Sequence, residues 1–162
     1  MIEESRDQHF ERILPHSRLV IAASVGAYLL YFLWVYFSVD NGKIVMLQAI
    51  AALIIGLSAF VAGNTYRLRD VRRRQAYRLG RLPREDVSAR TAAWNNLVPP
   101  ETIHFRFRLA SSGIAFGVFA QIAIGLVFIQ ISQESLGVTA TFLVVVLAGL
   151  LFLAGTYTRP VD

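Results

Sequence analysis

The densest chemistry in this chain is a run of guanidinium groups. Between residues 67 and 108 stand eleven arginines: Arg67, Arg69, Arg72, Arg73, Arg74, Arg78, Arg81, Arg84, Arg90, Arg106 and Arg108. Asp70, Glu85, Asp86 and Glu101 oppose them, which leaves the segment near +7 in a chain of net charge +5. In a soluble protein this balance would suggest nucleic acid, and Arg72-Arg73-Arg74 would be the grip. Here long apolar runs flank the segment on both sides, so no nucleic acid is expected. The expected ligands are anionic lipid headgroups or an acidic surface on another protein. Asp70 and the Glu85-Asp86 pair are read as neutralising nearby arginines or capping helices rather than as an acid/base pair. Trp94 falls among these cations, on a face shared with Val87, Thr91 and Val98. That face could lie on a bilayer surface with arginines reaching for phosphates, or pack on the neighbouring basic helix.

A second group of polar and small residues lies within the apolar runs. Gly113, Gly117, Gln121 and Gly125 recur at every fourth position. Gly113-x-x-x-Gly117 would let another backbone approach closely, and Gln121 would hydrogen-bond across that contact. Packing within the chain is the favoured reading; docking of a separate subunit is the alternative. Gln48, Ser58, Ala59 and Gly63 offer the same in the second apolar run, and Thr139, Thr141 and Gly149 in the fourth.

Other chemistry is conspicuous by omission. No Asp, Glu, Lys, Arg or His falls inside an apolar run, where proton relays and coupling sites would need one. No Gly-rich phosphate loop, H-E-x-x-H or G-x-S-x-G occurs, so the chain is not expected to be an enzyme. With no cysteine, disulfides, thiolate metal sites and cysteine nucleophiles are excluded. Haem ligation within a bilayer would need His or Met at depth. His9, His16 and His104 lie in polar or boundary sequence instead, and the methionines are Met1 and Met46. His16 and His104 each precede an apolar run and could meet to hold a metal, haem edge or quinone headgroup. Interfacial anchoring is the plainer reading, and no cofactor or metal is expected.

The elements that must position these groups are four uncharged runs: residues 19–39, 44–63, 109–131 and 136–157. Each is long enough for a helix to cross roughly 30 Å of hydrocarbon. Overall, 55% of the residues are hydrophobic, above the roughly 45–50% of soluble domains. The predicted fold is an all-α integral membrane protein with four transmembrane helices in two hairpins, residues 19–66 and 109–157. A basic helical segment, 67–108, joins them. Asp40-Asn41-Gly42-Lys43 reads as a tight turn, and residues 132–135 as a short loop. Gly80 reads as a helix stop, Pro83 to Asp86 as a new helix start, and Pro99-Pro100 as the end of that helix. Residues 1–18 are polar and suit a short surface helix, not a cleavable signal. Residues 158–162 are a stub carrying Arg159.

Cation placement predicts orientation. The amino-terminal segment carries three arginines and the central segment eleven, while the two turns share one lysine, Lys43. Basic segments stay on the cytoplasmic side, so both termini and the central segment are expected there. Lys43 is the only lysine, a compositional hint of a GC-rich bacterial genome and hence a bacterial inner membrane.

The hairpins also resemble one another. Arg18-Leu19 and Arg108-Leu109 open them; Ala62-Gly63-Asn64-Thr65-Tyr66-Arg67 and Ala154-Gly155-Thr156-Tyr157-Thr158-Arg159 close them, at offsets of 90 and 92 residues. A parallel tandem repeat would relate them by an axis along the membrane normal; ordinary interfacial chemistry would give the same residues. The functional expectation is a non-enzymatic accessory or scaffold subunit. It would pack against other membrane subunits or itself and bind lipid or an acidic partner through its arginines. The alternative is a small homo-oligomeric channel or transporter for an apolar or anionic solute, with Gln48 and Gln121 on the path.

Overall fold

The structure, a computed structural model, describes the backbone of residues 2–157 and the side chains of residues 19–157. Five helices follow in order: α1 (Ile2–Ser38), α2 (Gly42–Arg81), α3 (Val87–Asn95), α4 (Pro100–Gln130) and α5 (Glu134–Tyr157). There is no strand among the described residues. Four of the helices are long and apolar enough to cross a membrane, which marks a multi-pass membrane protein. Their outward surfaces agree: Phe37 is 80% exposed and Phe119 74%, a finish suited to lipid rather than water.

The connections explain where helices start and stop. Asn41 caps α2, its side chain accepting from the Lys43 N–H at 3.1 Å. α4 ends with Ser132 at a φ of 57° and a bond from the Gln133 N–H back to the Phe128 carbonyl at 2.9 Å, the left-handed closure usually given to glycine. α5 starts at Glu134, inside the stretch read from sequence as loop. α2 ends at Arg81, close to the predicted Gly80 stop. The next helix starts at Val87 instead of Pro83, because the Asp86 carboxylate supplies the cap. Pro100 begins α4: at that position its missing N–H has no partner to lose.

Helix α2 is the centre of the bundle. Of the residues in its apolar stretch 44% are buried, against 17–22% for the other three spans. It packs chiefly on α5 and then on α4, while α1 rests chiefly on α5. Neighbours in sequence are therefore not the closest neighbours in space. α1 meets α2 near their shared turn, where the Tyr28 hydroxyl donates to the Ala49 carbonyl at 3.0 Å. Val35, Val39, Ile44 and Val45 are buried there with Phe128, Val144 and Leu147. These turns lie at one end of the bundle, opposite its arginine end.

Candidate functional site

The small residues read from sequence divide by azimuth. A Cβ on Gly113 would collide with the Ser58 hydroxyl, and one on Gly117 with Ile55, so both glycines carry the α2–α4 contact. Gln121 is buried and donates to the Thr141 hydroxyl of α5 at 3.1 Å. Gly125 departs from the expected seam: nothing lies within 4 Å of a Cβ built there. A four-residue step turns the helix by about 40° beyond a full turn, so three steps carry Gly125 some 120° away from Gly113. The Gln48 side chain is fully buried and donates to the Tyr31 hydroxyl at 2.7 Å. Its Oε1, like that of Gln121, has no partner among the described residues. Ala59 is buried. Gly149 faces open space, and Thr139 bonds its own helix at the Ser135 carbonyl.

Gly63 brings the α2 backbone against that of α5, and the contact is reciprocal. A Cβ on Gly63 would strike the Phe152 carbonyl and lie 3.1 Å from the Thr156 nitrogen. A Cβ on Gly155 would strike the Phe60 carbonyl and lie 2.9 Å from the Asn64 nitrogen. Each residue of the first contact stands 92 positions from its counterpart in the second. Two shallow apolar grooves lie on corresponding pairs of helices. One, about 270 Å³, lies between α1 and α5; the other, about 290 Å³, lies between α2 and α4.

The arginines also divide. Arg67 donates to the Thr156 carbonyl at 3.3 Å and ties α2 to α5. Arg106 donates to Asn64 Oδ1 at 2.9 Å and ties α4 to α2. Arg74 pairs with Asp70 at 2.7 Å within α2. Arg81 donates to the Tyr77 hydroxyl and lies over that ring, 4.4 Å from its centre. Arg78 and Arg108 are exposed. Arg69, Arg72 and Arg73 gather with other groups, lining a groove of about 590 Å³ between α2 and the first turns of α4. The rest of that wall includes Ala62, Thr65, His104, Phe107 and Phe152, and among the described residues no acid belongs to it.

A residue without any signal in the sequence holds this groove in shape. Gln75 of α2 donates to the Asn96 carbonyl at 3.1 Å and accepts from the Val98 N–H at 3.3 Å. It pins the segment before α4 to α2, while the Arg106–Asn64 bond pins α4 eleven residues earlier along α2. Arg69, Arg72 and Arg73 stand between these two clamps along α2. The groove's α2 wall, unlike Gln75, does carry a sequence signal, though spread thin: Ala62, Thr65, Tyr66, Arg69, Arg72, Arg73 and Ala76 follow the three- and four-residue spacing of one helix face.

Trp94 stays 67% exposed and Val87 70%, so α2 does not cover that face of α3. Arg84 and Arg90 border it. Asp86 is held below the usual carboxylate range, first by the Ala89 N–H at 3.0 Å and then by the Ser88 hydroxyl. His104 lines the arginine groove, whereas His16 and the proposed meeting of the two histidines lie outside the described residues. No family model, curated protein or solved structure matches this chain. The fold and site define an all-helical, multi-pass membrane protein with a basic helical extension.

Proposed function

We propose that this protein is a non-enzymatic accessory or scaffold subunit of a larger complex in a bacterial inner membrane. The carrying observation is the disposition of its cations. Arg69, Arg72 and Arg73 stand on a single 40-residue helix and make no hydrogen bond or ion pair with any described residue. A rigid arm presenting such groups suits a ligand outside the chain, either anionic lipid or an acidic partner. Small residues close the bundle elsewhere, at Gly63, Gly113, Gly117 and Gly155.

In this reading both termini and the arginine end face the cytoplasm, as the cation distribution favours, and Trp94 sits at the interface. The two halves are a parallel tandem repeat of transmembrane hairpins. Support comes from the reciprocal Gly63 and Gly155 contacts and the paired grooves. The channel or transporter reading has weaker support, since its path-lining candidates Gln48 and Gln121 are buried against Tyr31 and Thr141.

Purification at native expression level in mild detergent tests the proposal. A stoichiometric membrane partner is expected. A clean monomer or homo-oligomer, together with solute flux in reconstituted vesicles that Gln121→Leu abolishes, would favour transport instead.

A further inference from the structure

We propose that the groove between α2 and α4 is a site for one anionic glycerophospholipid. Arg69, Arg72 and Arg73 would hold its phosphate, and an acyl chain would leave past Ala62, Phe107 and Phe152. The inference deepens the lipid-binding part of the function proposed above and rests on it.

Three observations carry it. The first is polarity along the groove. From Ala62 to Arg73 the wall runs some 16 Å along α2 at about 1.5 Å per residue. It begins inside the second apolar run and ends among guanidinium groups. A phospholipid has this same order of parts, whereas a free phosphate would use the arginine end and leave the apolar end empty. The second is charge. Three cations line the groove with no acid on its wall among the described residues, and the nearest aspartate on α2, Asp70, is paired with Arg74. Arg67 and Arg106, by contrast, are engaged in tying helices together. A phosphate at the groove mouth would supply the acceptors that the described residues do not. The third is size and stiffness. A volume of about 590 Å³ lies within the roughly 300–1,000 Å³ of small-molecule sites. The clamps at Asn64 and Gln75 fix its width before any ligand arrives, which lowers the ordering cost of binding.

The test is native mass spectrometry of the full chain released from bilayers containing phosphatidylglycerol and phosphatidylcholine in equal amounts. One phosphatidylglycerol should remain bound. Arg69→Gln with Arg72→Gln should weaken its retention by about tenfold or more. The charge-matched pair Arg84→Gln with Arg90→Gln, away from the groove, should change it less than about twofold. Ala62→Phe keeps every cation and fills the apolar end, and should also displace the lipid. Melting temperature in detergent checks that each variant is folded.

Equal losses from both arginine pairs, with Ala62→Phe silent, would mean diffuse attraction to a charged surface. That would overturn the site while leaving the proposed accessory role standing. Displacement by millimolar inorganic phosphate with Ala62→Phe silent would mean a free-anion site, and equal retention of both lipids would mean no headgroup recognition; either overturns the proposal. Loss of the co-purifying partner is a separate readout, so failure of the accessory role would be seen independently.

Discussion

At the scale of single residues, the buried amide of Gln48 shows how unequal the two ends of one hydrogen bond are. Its nitrogen donates to Tyr31 and its oxygen has no partner among the described residues. Leaving a buried polar group unpaired costs more than removing it together with its partner. Tyr31→Phe would strip Gln48 of its remaining side-chain bond and should lower stability by about 1–3 kcal/mol. Gln48→Leu in turn leaves the buried Tyr31 hydroxyl without its donor, so the double variant Tyr31→Phe with Gln48→Leu, which removes both partners, should change stability by less than about 1 kcal/mol, the usual worth of such bonds between membrane helices. Thermal unfolding of Tyr31→Phe and the double variant in the same detergent checks the order. If the double variant proves the more damaging, the pair has a role beyond this bond.

At the scale of helices, closure depends on where a glycine points rather than on how many there are. Gly63 and Gly155 let α2 and α5 approach to backbone contact, each against a carbonyl of the other helix. An added methyl must push the two backbones apart, and overpacking of this kind costs typically 1–3 kcal/mol, occasionally more. Gly63→Ala and Gly155→Ala should therefore each destabilise by about that amount, and by similar amounts if the halves are related by a two-fold axis. Gly125→Ala and Gly149→Ala meet open space and should be neutral, or stabilising by up to about 1 kcal/mol through helix propensity. Melting curves of the four variants suffice. A large gap between Gly63→Ala and Gly155→Ala would count against the repeat.

At the scale of the whole molecule, the proposed orientation follows from one physical constraint. Eleven guanidinium groups between residues 67 and 108 resist translocation, so in the proposed orientation the spans on either side return to the face from which they entered. The chain lacks cysteine, which makes single-cysteine labelling clean. With a membrane-impermeant thiol reagent on intact cells, Asn41→Cys and Glu134→Cys should react and Arg90→Cys should not. Reaction of Arg90→Cys with protection of the other two would invert the topology.

The sequence by itself determined the spans, their approximate ends and the concentration of charge between the second and third. The cost of placing charge or an unpaired peptide group in hydrocarbon is local and strongly one-sided, so a run without charge is legible without knowing its neighbours. Tertiary structure alone decided which helix touches which. Gly113 and Gly125 belong to one sequence pattern, yet the helical twist sends one against Ser58 and the other to the surface. Arg67 and Arg69 stand two residues apart, yet a rotation of about 200° separates a tie to α5 from a wall of the groove. Gln75, which looks like any exposed helical glutamine, acquired a role because the connection before α4 folds back onto α2. Composition fixes what the bilayer will accept, while azimuth and long-range pairing fix what each side chain can reach.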